Sequence, residues 1–131
     1  MTPASRSNTE WLQSLPRTNG KPGVEGMREL LAKLGDPQNY LDFVHVAGTN
    51  GKGTVSTLTA NILKEAGYKT GLTISPYVLD FRERMQINGE MIPADTLEQV
   101  AGQVRAAAAQ LDEEPVQFTA VTAAALLWFY Q

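Results

Sequence analysis

The feature that most constrains this chain is a glycine-rich turn between an apolar stretch and a helical pattern. Residues 41–47 are apolar and rich in residues that favour strands, and residues 48–54 (GTNGKGT) follow them directly. The positions after this turn are apolar at helical spacing: Val55, Leu58, Ile62 and Ala66. Three glycines let successive backbone N–H groups approach an anion, which also meets the positive end of the helix dipole. The pattern predicts a strand, a phosphate-binding loop and a helix.

Two side chains in the turn suit phosphate chemistry. Lys52 supplies a point charge for terminal phosphates, and the Thr54 hydroxyl is placed to ligate Mg²⁺. The common G-x-x-x-x-G-K-[ST] pattern does not match as written, because its first glycine falls on Val46 and Gly53 separates Lys52 from Thr54. The alternative is a structural glycine turn with a solvent-exposed lysine. The strand before the turn and the helix after it favour phosphate binding.

A second strand completes a βαβ unit. Gly67 lies where a helix C-cap belongs, and residues 69–74 are a further strand pattern. Strands separated by one helix pair in parallel with a right-handed crossover. We therefore expect an α/β fold, a parallel sheet with flanking helices.

Further helices are predicted on both sides of this unit. A helical pattern over residues 27–34 ends at Gly35-Asp36-Pro37, and Asp95 with Glu98 resembles a capping box at the start of another helix. Residues 75–89 between them are a charged connection that ends in an Asn88-Gly89 turn. Residues 112–115 form an acidic run that we interpret as a solvated loop.

The two ends of the chain differ in character. Residues 1–20 are predicted to be a loosely held arm with one short helix around Trp11, Leu12 and Leu15, and residues 21–131 the part that contains the phosphate-binding loop. Residues 118–130 are apolar on nearly all sides, as in helices buried within a layered structure. With only two predicted strands, nothing in the sequence covers this last helix. We expect a truncated chain, the N-terminal part of a larger α/β protein.

The composition of the chain argues against several classes of function. The 131 residues allow one domain, and no cysteine is present, which excludes disulfides and thiolate chemistry. A net charge of −3 argues against nucleic acid as a partner. No apolar run reaches the roughly 20 residues of a membrane span, and the polar N-terminus lacks a secretory signal. A cytoplasmic protein without a membrane partner is expected.

Several motifs resemble one family in order and spacing. Residues 46–54 (VAGTNGKGT) look like the ATP loop of the Mur ligase superfamily. The folylpolyglutamate synthase branch, which in many bacteria also has dihydrofolate synthase activity, is favoured over the cell-wall Mur ligases by four further segments. These are residues 21–23 with 34–37, 66–72 (AGYKTGL), 75–79 (SPYVL) and 83–89 (ERMQING).

The resemblance implies the fold of the Mur ligase central ATPase domain and an ATP- and Mg²⁺-dependent ligase of folate biosynthesis and one-carbon metabolism. Such enzymes join glutamate to a folate or dihydropteroate carboxylate through an acyl phosphate, and a monomer is expected. The residues implied to bind ATP are Thr49, Asn50, Gly51, Lys52, Gly53 and Thr54, with Lys52 as the catalytic residue. Ser75 and Thr54 are the implied Mg²⁺ ligands.

Two positions depart from the family pattern. The family commonly has His where Tyr77 stands, and a Mg²⁺-binding Glu where Thr119 stands. Tyr77 and Arg84 lie in a loop that the resemblance places near the substrates, and Arg84 either contacts an anion or belongs to a solvated charge run. Because a neutral hydroxyl is a poorer Mg²⁺ ligand than a carboxylate, either Thr119 binds through water, a nearby acid compensates, or this chain binds the metal weakly. The alternative functions are a nucleotide-binding or degenerate module without turnover and a cell-wall Mur ligase.

Overall fold

The computed structural model describes residues 7–16, 23–44, 52–74, 80–111 and 114–131, with only the backbone for residues 23–24 and 52–54. These residues form two compact units. The first unit comprises Met1–Leu41 and Asp95–Gln131, and the second comprises Asp42–Ala94. The domain bounds expected from the sequence, 1–20 and 21–131, stay a prediction.

The first unit is helical. Its helices are α1 (Asn8–Ser14), α2 (Gly23–Lys33), α4 (Ala94–Ala108) and α5 (Gln117–Tyr130), and a 3₁₀ turn spans Pro37–Tyr40. The predicted stop of α2 is confirmed: Gly35 and Asp36 have φ of 89° and 54°. This left-handed backbone ends the helix just before Pro37.

Helix α5 forms the core of this unit. It is apolar on nearly all sides, as predicted, and Ala120, Ala123, Ala124 and Ala125 are fully buried. The expectation that nothing covers this helix is wrong, because α1, α2 and the 3₁₀ turn all contact it. Local periodicity identified the helix but not these partners, which lie about 80 to 120 residues earlier in the chain.

Helix α1 confirms the short helix expected near the N-terminus but contradicts its loose attachment. Leu12 and Leu15 are 0% and 4% exposed, which places them in the core. The buried side chains and the contact with α5 hold residues 7–16 against the unit. Two leucines buried to this extent contribute several kilocalories per mole, enough to hold a helix of two turns.

Helix α4 has the predicted apolar face, since Leu97, Val100 and Val104 are buried. The capping box expected from Asp95 and Glu98 is not formed. Helix α4 starts at Ala94, so that Asp95 already lies within its first turn. The Glu98 carboxylate instead accepts hydrogen bonds from α1.

The second unit contains α3 (Lys52–Glu65) and a three-stranded sheet of β1 (Gly71–Thr73), β2 (Met85–Ile87) and β3 (Glu90–Met91) in the order β1-β2-β3. Both pairs are antiparallel: Gly71 lies opposite Ile87, and Ile87 opposite Glu90. The Asn88-Gly89 turn joins β2 and β3, with φ of 53° and 83° as two-residue hairpins require.

The described sheet differs from the parallel pair expected of residues 41–47 and 69–74. Residues 41–44 form no strand, and 45–47 lie outside the described residues. The second predicted strand is confirmed as β1, but its observed partner is β2, within the segment expected to be a connection. Residues 75–89 were rich in charge, which obscured the short strand at their end.

Helix α3 has the predicted bounds, and Gly67 follows it with φ of 98° as the expected C-terminal cap. Its apolar face, however, is exposed: Val55, Leu58 and Ile62 are 49%, 57% and 68% accessible. The sequence pattern thus identified a face suited to burial, which the described residues do not cover.

Candidate functional site

The N-terminus of α3 is the candidate phosphate site. Lys52 is the first residue of this 14-residue helix, and Gly53 and Thr54 complete its first turn. No acidic side chain lies in that turn, so the positive end of the helix dipole is not neutralised from within the helix. The other implied ATP-binding residues, Thr49, Asn50 and Gly51, lie outside the described residues, as do the side chains of 52–54.

The end of β1 brings a second candidate segment close. The backbone N–H of Ile74 donates to the carbonyl oxygen of Arg84 at 3.3 Å. Ser75, the implied Mg²⁺ ligand, is the next residue after Ile74, although Ser75 and Tyr77 themselves lie outside the described residues. Helix α3 also contacts β1. The backbones of Lys52, Ile74 and Arg84 therefore belong to elements that pack within one unit.

The Arg84 side chain is buried rather than solvated. It is 6% exposed, and its guanidinium carbon lies 5.5 Å from the centre of the Phe81 ring. This cation–π contact, with Phe81 itself buried, excludes the solvated charge run for Arg84. Contact of Arg84 with a substrate anion stays a prediction.

The 3₁₀ helix Phe81–Arg84 is fixed by a capping box that the sequence analysis missed. Asp80 Oδ1 accepts from the Arg82 backbone N–H at 2.9 Å, and Glu83 Oε2 accepts from the Asp80 N–H at 3.0 Å. Hydrogen bonds from the side chain of Arg82 and then from its backbone N–H lower the pKa of the Asp80 carboxyl, and a salt bridge of 3.1 Å joins the two side chains. The Asp-x-x-Glu spacing at 80–83 was the available signal. The capping box holds residues 81–84 in the 3₁₀ conformation just before β2.

Thr119 belongs to the first unit. It is the third residue of α5 and is 3% exposed. No acidic side chain lies in the first turn of α5, and no cluster of three or more His, Cys, Asp or Glu side chains occurs among the described residues. Thr119 therefore offers a buried neutral hydroxyl where the resemblance places a carboxylate.

Within the described segments, no helix is both long enough and apolar enough to cross a membrane.

Comparison with known proteins shows which proteins the chain resembles. No protein-family model matches the chain. The dihydrofolate synthase/folylpolyglutamate synthase of Bacillus subtilis is 35% identical over 133 residues, an alignment that covers 98% of this chain and 31% of that protein. The chain thus spans about a third of the length of this curated relative.

Solved structures agree. The crystal structure of folylpolyglutamate synthase from Thermotoga maritima matches with a TM-score of 0.84 and 35% identity, covering 92% of this chain and 29% of that one. A complex of folylpolyglutamate synthase (FPGS) with AMPPCP and folate matches with a TM-score of 0.86 and 34% identity, covering 93% of this chain and 31% of that one. The α/β fold expected of the Mur ligase type is confirmed by these matches. The chain is therefore a relative of the folylpolyglutamate and dihydrofolate synthases and matches the N-terminal portion of these proteins.

Proposed function

We propose that this chain is the ATP-binding portion of a ligase that adds glutamate to a folate or dihydropteroate carboxylate. The observation that carries the proposal is the segment 48–54, which ends in the first turn of α3 with no acidic side chain there. A helix N-terminus preceded by a glycine-rich loop is suited to phosphate groups. The match to an FPGS that binds AMPPCP, an ATP analogue, supports ATP as the nucleotide.

In the proposed reaction, the substrate carboxylate attacks the γ-phosphorus of ATP, which releases ADP and leaves an acyl phosphate. The glutamate amine then attacks the acyl carbon, which releases phosphate and a proton. Phosphoryl transfer depends chiefly on positioning and on charge stabilisation. Thr49, Asn50 and Gly51 offer backbone N–H groups to the phosphates, and Lys52 offsets the charge that develops on them.

Mg²⁺ fits the available ligands only together with the nucleotide. The implied ligands Thr54 and Ser75 are both hydroxyls, whereas Mg²⁺ is usually bound by one or two carboxylates and substrate phosphates. Two neutral oxygens bring no charge, so the phosphates would have to supply it. When bound, Mg²⁺ neutralises charge on the phosphate oxygens.

The other substrates follow from the relatives. Folate occurs with AMPPCP in one matched complex, so a pterin-bearing substrate is proposed here as well. Tyr77 and Arg84 are the proposed substrate-side residues of the second unit. Small molecules are then the partners of a cytoplasmic, monomeric ligase, and neither nucleic acid nor a membrane takes part.

Calorimetric titration of the 131-residue chain with MgATP tests the nucleotide site. We expect Lys52→Ala to weaken binding at least tenfold, because a charge-assisted hydrogen bond contributes roughly 1.5–3 kcal/mol. Lys64→Ala is the matched control, since Lys64 is exposed in the last turn of the same helix. Equal affinities for the two variants would overturn the assignment of Lys52.

A binding module without turnover is the second candidate. It is supported by Thr119, a buried neutral hydroxyl where the resemblance places a Mg²⁺-binding carboxylate. ATP-dependent incorporation of labelled glutamate into folate or dihydropteroate separates the two functions. Nucleotide binding without incorporation supports the module, whereas incorporation that is lost in Lys52→Ala supports the ligase.

A further inference from the structure

Helix α4 presents three residues on one face to the N-terminal helix. Glu98, Gly102 and Arg105 are spaced by four and three residues, which places them in a row along the helix. The Glu98 carboxylate accepts hydrogen bonds from the backbone N–H groups of Asn8 at 2.8 Å and Thr9 at 3.0 Å. It also accepts from the Thr9 hydroxyl at 3.0 Å. Glu98 therefore caps α1 from a different helix.

The cap matters because α1 is short. A helix of seven residues is not stable in isolation, since nucleation costs more than so few hydrogen bonds return. The Ser7 hydroxyl accepts from the N–H of Glu10 at 3.0 Å, so the first three N–H groups of α1 all have acceptors. Two of the three depend on Glu98. Helix α1 should accordingly form only while it is docked.

Gly102 and Arg105 shape the surface beneath Asn8. A Cβ atom on Gly102 would lie 2.6 Å from Asn8 Nδ2, so any larger residue displaces the Asn8 side chain. Arg105 Nη1 donates to Asn8 Oδ1 at 3.3 Å, and its guanidinium lies 5.9 Å from the Trp11 ring. The α4 face is thus specific for the first turn of α1.

The other end of the segment reaches α5. The Pro16 carbonyl accepts from the backbone N–H of Gln117 at 2.8 Å, and the Gln13 carbonyl accepts from Gln117 Nε2 at 2.8 Å. Val116, the N-cap residue of α5, makes no side-chain capping bond. Residues 13 and 16 therefore supply acceptors to Gln117 in the first turn of α5.

We propose that residues 7–16 form a strap that Glu98 latches at one end and that caps α5 at the other. Loss of the hydrogen bonds to Glu98 unfolds α1 and withdraws the Gln13 and Pro16 carbonyls from Gln117. The hydrogen bonds of Glu98 therefore control order in the first turn of α5. That turn carries Thr119. The strap rests on contacts within the first unit and does not depend on the proposed function.

Amide hydrogen exchange by NMR on the full 131-residue chain tests this coupling. We expect Glu98→Gln to speed exchange roughly tenfold both in residues 8–14 and at Gln117, because one charged acceptor is lost. Glu90→Gln, at an exposed position of β3, is the charge-matched control and should change neither segment. The amide of Leu30 in α2, which belongs to the same unit and to neither segment, reports whether the first unit stays folded.

Gly102→Ala is an independent second variant, because it displaces Asn8 without touching the carboxylate. It should speed exchange in the same two segments. Faster exchange in residues 8–14 with unchanged exchange at Gln117, in either variant, would overturn the coupling. Unchanged exchange in both segments would show that Glu98 is not a latch.

Discussion

Replacing Thr119 by glutamate introduces a carboxylate at a buried position. Thr119 is 3% exposed, so the new side chain either displaces packed neighbours or loses its hydration. A buried charge left without a partner costs about 3–5 kcal/mol. The position is the third of α5, where negative charge near the helix N-terminus recovers about 0.3–1 kcal/mol. The net expected loss is about 2–4 kcal/mol.

A loss of that size lowers the melting temperature of a chain of this length by roughly 10 °C. Thermal and urea melts followed by circular dichroism in metal-free buffer measure it. Thr119→Gln has a similar length without the charge, and Thr119→Val keeps the shape of threonine, so the series separates charge, size and hydroxyl. A glutamate variant as stable as the wild type would refute the burial argument.

The same melts repeated with Mg²⁺ test the predicted metal position. Recovery of the glutamate variant alone would support a Mg²⁺ site at residue 119, since only a carboxylate adds charge to the ligand set. An equal loss with and without Mg²⁺ in both the glutamate and glutamine variants would place Thr119 in the core and not beside the metal.

Three further outcomes are expected. Hydrogen bonds from the backbone of Thr9 and Asn8 lower the pKa of the Glu98 carboxyl, so its contribution to stability is present above the ordinary value of 4.5 and is lost as the pH falls below it. In melts at decreasing pH, Glu98→Gln should therefore lose less stability than the wild type, and an equal loss would contradict this. Gly67→Ala should cost about 1 kcal/mol in urea melts because φ is 98° there, and a stabilised variant would contradict the strain. Gly102→Ala should stabilise the protein by up to about 1 kcal/mol only in an Asn8→Ala background, where the helix propensity of alanine is gained without a clash. The same gain in the wild-type background would show that Asn8 does not lie against Gly102.

Local signals in the sequence predicted much of the fold. The Gly35-Asp36-Pro37 stop, the Gly67 cap and the Asn88-Gly89 turn were all readable because positive φ restricts the residues that fit. The helix pattern from Lys52 was equally clear, since four apolar positions repeat at the helical period. These features depend on residues within a few positions of one another.

Long-range pairings were not readable. Glu98 fitted a local capping box with Asp95, yet its hydrogen bonds reach Asn8 and Thr9, 90 and 89 residues away. The cover of α5 by α1 and α2 was missed for the same reason. A single sequence shows that a surface is apolar or charged, but not which distant segment meets it.

The site residues stay a prediction, and the structure describes only the elements beside them. Lys52 begins α3, and the carbonyl of Arg84 accepts from the N–H of Ile74, the residue before Ser75. The burial of Arg84 against Phe81 was not predicted, because the neighbouring charges at 82 and 83 made the segment look solvated. The sequence could not show that the Asp80 carboxylate binds Arg82 within the same turn, or that Arg84 packs against Phe81.

Nucleotide binding at the N-terminus of α3 is tested most directly by amide chemical shifts of the ¹⁵N-labelled chain during titration with Mg²⁺ and AMPPCP. The largest shifts should fall on residues 49–54, because their N–H groups would face the phosphates, and smaller shifts should reach Ile74. Lys52→Ala should abolish them at the same nucleotide concentration, whereas Lys64→Ala should not. Shifts confined to other segments, or none at saturating nucleotide, would contradict a phosphate site in this loop.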